Sequence, residues 1–99
     1  MAAAILKEVT LAKADKYEIV QSNVFFPPES VNWQYFTKSD KRATSPGIGE
    51  AVFYDIKVGD LVEKDAAWSY PEPKAAVKHI KDYVVFGYGQ VHLKTERVE

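Results

Sequence analysis

The sequence predicts a mainly β fold: compact antiparallel sheets of about seven or eight short strands, arranged as a sandwich or rolled sheet, with one short helix near residues 73–81. Three observations lead there. Runs of four to eight residues rich in Val, Ile, Phe, Tyr and Trp recur along the chain, several of them alternating with polar residues. Glycine, proline, asparagine and aspartate separate these runs at turn-like spacing. Helical periodicity is confined to one stretch, and no βαβ rhythm, internal repeat or low-complexity segment interrupts the pattern.

Taken in order, residues 5–12 form a weak apolar run suited to an edge strand. Tyr17–Val20 and Val24–Phe26 flank Gln21-Ser22-Asn23 and read as a hairpin, which Pro27-Pro28 ends because neither proline donates to a ladder. Residues 31–37 alternate Val31, Trp33, Tyr35 and Thr37 against Asn32, Gln34 and Phe36, a strand pattern. The polar stretch Lys38–Arg42 reads as a loop and Pro46-Gly47-Ile48-Gly49 as a turn. Glu50–Lys57 carries large apolar groups on both faces, as a central strand does. A tight turn at Val58-Gly59-Asp60-Leu61 leads into a strand over Leu61–Lys64.

The stretch that follows, Asp65 to Pro73, organises the chain. Pro71 and Pro73 fix their own φ and push Tyr70 and Glu72 toward extended conformations, so a segment carrying Trp68 and Tyr70 is stiff. Pro73 suits a first helical position, and Ala76, Val77 and Ile80 share a face. Tyr83–Phe86 and Gln90–Thr95, joined by Gly87-Tyr88-Gly89, read as a closing hairpin.

Composition bounds the function. The chain has 99 residues, 46% apolar and 27% charged, consistent with one domain over 1–99 that buries roughly 65% of its unfolded surface. There are no cysteines, which removes thiolate metal sites, disulfides and a thiol nucleophile together. Net charge is -1 and evenly spread, seven basic against seven acidic residues in 1–59, so no nucleic-acid partner is expected. The N-terminal apolar run is too short for a signal or a membrane span, and a soluble cytoplasmic protein without membrane association is the expectation.

Four ordered elements resemble the domain-of-unknown-function 427 family: Val24-Phe25-Phe26-Pro27-Pro28-Glu29-Ser30-Val31, Gly49-Glu50-Ala51-Val52-Phe53-Tyr54-Asp55, Ala66-Ala67-Trp68-Ser69-Tyr70-Pro71-Glu72-Pro73, and Ile80-Lys81-Asp82-Tyr83-Val84-Val85-Phe86. The resemblance covers roughly residues 12–93 and is most specific around Trp68. It implies a β-tent-like domain, in a fold group that includes zinc-stabilised relatives and aromatic-cage ligand binders; an older label of the family points to nucleotidyltransferases, without a mechanism. Where many members carry a Cys-Pro-Trp-Lys-Gly turn, this chain has Ser45-Pro46-Gly47-Ile48-Gly49, losing a thiol, an indole and an ammonium group. The family's first hairpin also reads as short here, since little precedes Val9.

His79 and His92, thirteen apart and without a cysteine, do not make a zinc-binding pattern, and no cofactor or metal is expected. The glycine pairs lie between strands rather than at a helix N-terminus, so they read as turns and not as phosphate cradles. Asp55, Asp65 and Glu72 are the candidates for acid-base work. A hairpin centred near Gly59-Asp60 would set Asp55 roughly opposite Asp65, either as a catalytic pair or as a carboxylate capping backbone amides. Trp33, Tyr54, Trp68 and Tyr70 are the candidate ligand-binding aromatics, because converging rings offer π faces and apolar area to small molecules. The leading expectation is a small-molecule or peptide binding module with a cleft around Trp68, walled by Tyr54 and Tyr70 and anchored by Asp55 or Asp65. A small hydrolase or group-transfer enzyme using Asp55 and Asp65 is the alternative. A homodimer face at Trp33 or Phe36 is a third expectation.

Overall fold

A computed structural model describes residues 1–87 and 91–95. It is mainly β and antiparallel, as the alternating runs predict, with nine strands among the described residues. β1 (Ala2–Leu6) and β2 (Val9–Ala14) form a hairpin, β3 (Glu18–Val20) and β4 (Asn23–Phe25) a second, and β5 (Phe36–Ser45), β6 (Gly49–Val58) and β7 (Leu61–Ser69) a meander. β8 (Val84–Phe86) pairs with β7 to complete a four-stranded sheet of order β5-β6-β7-β8. β9 (His92–Thr95) pairs instead with β1, giving a three-stranded sheet of order β2-β1-β9.

One core lies between these two sheets. Ala2, Ala4, Leu6 and Leu11 meet Phe26, Ile56, Ala67, Val84 and Phe86 in a continuous buried cluster. The alanines of β1 leave room there for the edge-to-face pair Phe26 and Phe86, 5.5 Å apart. A second cluster covers part of the outer face of the four-stranded sheet, where Phe25, Ile48, Ala51, Tyr70, Ile80 and Val85 close together. Adjacent residues in a strand point to opposite faces, so Phe25 enters the outer cluster and Phe26 the inner one, and Val84 and Phe86 go inward while Val85 goes outward. That two-sided burial accounts for the unbroken apolar run of β8.

Several expectations are corrected. The run at 5–12 is not one strand: the chain reverses at Lys7-Glu8, both at positive φ (46° and 66°), so residues 5 and 6 end β1, the centre of its sheet, and residues 9–12 belong to β2, which is an edge. Residues 31–35 are not a strand. Two 3-10 turns, Pro28–Ser30 and Trp33–Tyr35, occupy that region, stapled to β2 by the Asn32 amide donating to the Thr10 carbonyl (2.7 Å) and the Asn32 N–H to that of Leu11 (2.8 Å). Lys38–Arg42 is not a loop but the bulged middle of β5, whose polarity is that of an exposed edge. The expected helix over 73–81 is a 3-10 segment, Ala75–Ile80, broken at Val77 (φ -128°) and burying only Ile80; Lys74, not Pro73, precedes its first residue. Tyr83–Phe86 and Gln90–Thr95 do not pair, since β8 and β9 belong to different sheets. Of the turn between them, Tyr88, Gly89 and Gln90 lie outside the described residues. No helix among the described residues is long and apolar enough to cross a membrane.

Candidate functional site

The register of the four-stranded sheet assembles the site. Phe53 of β6 is paired with Trp68 of β7, and Trp68 with Val85 of β8, so the three side chains form one row on the outer face. Phe53 and Trp68 are half-buried, their rings tilted against one another 5.5 Å apart. Lys41, on the bulge of β5, extends the row: its Nζ stands 4.7 Å above the Phe53 ring.

At the other end Trp68 walls a cleft of about 380 Å³ that is also lined, among the described residues, by Asn23, Phe86, Gly87 and Leu93. Residues from β4, β7, β8 and β9 thus meet around one indole. Gly87 permits this by its size. Its N–H donates to the Ala66 carbonyl (2.7 Å), and a Cβ there would lie 2.6 Å from Cζ3 of Trp68. Among the described residues the Trp68 indole N–H has no acceptor.

The aromatics named from sequence do not all converge. Tyr54 is paired with Ala67 and belongs to the inner side, where its ring meets Trp33 (5.4 Å) and Phe36 (6.3 Å). Trp33 is 40% exposed, and its indole N–H donates to the Pro28 carbonyl at 2.9 Å; Phe36 beside it is half-buried. Tyr70 is buried, stacked on Phe25 at 6.1 Å, with its carbonyl accepting from the Asp82 N–H. Trp68 therefore stands apart from Tyr54 and Trp33 by a face of the sheet, and from solvent-facing positions Tyr70 is withdrawn.

Asp55 and Asp65 are brought together. Tyr54 and Ile56 both enter the inner cluster, which leaves Asp55 on the outer face with Phe53. The β6–β7 register shifts between Tyr54 and Ile56, and Asp65 takes positive φ (51°) there. Asp55 Oδ1 accepts the Asp65 N–H at 2.8 Å, and Asp65 Oδ1 accepts the Ser39 hydroxyl at 2.5 Å. Ser39 Oγ in turn accepts the Lys41 N–H (3.2 Å), while Arg42 holds the Ser39 and Lys41 carbonyls from its guanidinium, each at 2.7 Å. The chain of contacts pins the bulges of two neighbouring strand pairs to each other. Glu72 is elsewhere: it is exposed and shares a shallow depression of about 240 Å³ with Glu50 and Pro71.

His79 is exposed with Nε2 3.7 Å from Glu18, and His92 is exposed on β9; no group of His, Asp and Glu among the described residues could hold a metal ion. Sequence reasoning missed Asn23, Lys41, Phe53, Phe86, Gly87 and Leu93. Phe53 was within reach, since its alternation against Tyr54 already separates the two rings. The others depend on which strands become neighbours.

Among curated proteins the chain finds no match. The family model described as Domain of unknown function (DUF427) matches residues 3–97, and on that span, which includes the first hairpin and the whole Trp68 segment, the chain belongs to the DUF427 family.

Proposed function

We propose that the protein is a binding module for a small molecule, taken up in the cleft beside Trp68. The observation that carries this reading is a half-buried indole walling a cleft of about 380 Å³ against a glycine whose missing Cβ leaves the ring its place. That volume lies at the low end of small-ligand pockets and suits one ring system. A planar ring stacking on Trp68 gains apolar contact, while the Asn23 amide and the indole N–H orient its polar edge. The experiment is an NMR and thermal-shift screen with amines, carboxylates, nucleosides and sugars, read at the Trp68 indole resonance. Binding compounds shift that resonance and lose affinity in Trp68→Ala; a resonance unmoved by every compound rejects the proposal.

A second reading, a small hydrolase or group-transfer enzyme, is favoured by the approach of Asp55 to Asp65. Each uses one oxygen in a local hydrogen bond, which supports a structural pin at least as directly as an acid-base pair. Any hydrolytic or transfer activity that survives both Asp55→Asn and Asp65→Asn removes this reading.

A further inference from the structure

We infer that the ligand of the Trp68 cleft is a planar aromatic anion, with Lys41 as the group that recognises its charge; this rests on the binding reading above. Two features of the outer face support it. The first is where the Lys41 ammonium lies. It sits over Phe53, one ring removed from Trp68, and forms no ion pair with any described carboxylate although Asp40 is its chain neighbour and Asp55 and Asp65 share its face. A cation held on an aromatic ring keeps its charge free to meet an anion, because the ring contributes a quadrupole and no countercharge. The second is the sign of the other polar groups. The Trp68 indole N–H and the Lys41 ammonium are donors without acceptor capacity, so a ligand spanning both presents acceptors.

The carboxylates of Asp55 and Asp65 are the competing attraction. Were they the anchor, a cation would bind best. Each, however, already accepts a hydrogen bond, Asp55 from the neighbouring β7 and Asp65 from Ser39 of β5 across β6, and Arg42 adds a second positive charge to the same bulge. The row therefore runs from a cation, over two half-buried rings, into a cleft: a ring system fills the indole end and its anionic substituent reaches toward Lys41.

The test uses the full chain carrying Trp33→Phe, which leaves Trp68 as the single tryptophan. Its indole resonance is followed by NMR against 2-naphthoate, the neutral 2-naphthamide and the cationic 2-naphthylmethylammonium. The expected result is a Kd for naphthoate about fivefold below that of naphthamide at low salt, as one partly solvated ion pair provides. Lys41→Met abolishes that ratio without changing the Kd of naphthamide, and Lys41→Arg retains it. Equal affinity for acid and amide, a preference that survives in Lys41→Met, or tightest binding of the cation overturns the anion assignment while binding itself stands. If none of the three moves the resonance, the aromatic-anion assignment falls, and the binding reading is decided by the wider screen of amines, nucleosides and sugars.

Discussion

At the residue scale, the structure separates side chains that hold the sheet from side chains that a ligand could reach. Asp55 belongs to the first kind, because Asp65 turns its N–H away from the ladder and the Asp55 carboxylate is what receives it. Asp55→Ala leaves that half-buried donor without a partner and is expected to cost about 1–3 kcal/mol, whereas Asp55→Asn keeps an oxygen in place and costs less. Urea denaturation measures both; equal losses would mean the bond contributes little. Gly87 belongs to the second kind. With a Cβ only 2.6 Å from the Trp68 ring, Gly87→Ala must displace the indole, costing about 1–3 kcal/mol as overpacking does. The same variant should shift the Trp68 indole resonance in the free protein. An unchanged resonance and midpoint would show that the ring is not held where the cleft requires it.

At the scale of elements, strands were legible where burial is one-sided and turn chemistry is explicit, and illegible where an element's partner decides its character. Glu50–Lys57 and the Gly59-Asp60 turn are readable because a central strand and its hairpin carry their own signal. The polar edge β5 resembles a loop, since edge solvation and loop solvation use the same residues. β1 was unreadable as a central strand because Ala2, Ala3 and Ala4 have little β preference, and Ala2 and Ala4 owe their place to the inner cluster they join. The Trp68 segment identified the family, yet its cleft could not be foreseen: Asn23 and Leu93 reach Trp68 only through the pairings of β4 and β9. The first two hairpins also reverse through non-glycine pairs at positive φ, Lys7-Glu8 and Gln21-Ser22. Asn-Gly suits such two-residue turns better. Lys7→Asn with Glu8→Gly is therefore expected to stabilise the protein by about 1 kcal/mol, raising the melting temperature by about 4–8 °C. A lowered midpoint would show that the Lys7 or Glu8 side chain matters more than the backbone.

At the scale of the molecule, the two sheets leave edges that are treated unequally. β2 is met by Val31 and β8 by Phe26, each through an isolated bridge, so both borders are partly closed by the chain itself. Among the described residues no strand or bridge pairs with the outer side of β5, and at ten residues it shares the greatest strand length with β6. A long open edge invites pairing with a second copy, and what opposes it here is charge and irregularity: Lys38, Asp40, Lys41 and Arg42 occupy its middle, and the ladder is bulged between Lys38 and Arg42. The bulge that places Lys41 over Phe53 thus also interrupts an open border, which ties the candidate site to the pairing capacity of that edge. Removing two of the charges while keeping Lys41 separates the two roles. Lys38→Val with Asp40→Val spares the Arg42 bonds to the Ser39 and Lys41 carbonyls and so leaves the ammonium over Phe53, but makes the edge more apolar and β-prone, and sedimentation should show concentration-dependent association beyond that of the unmodified chain. Identical sedimentation of the two proteins would mean that the bulge alone keeps the edge closed.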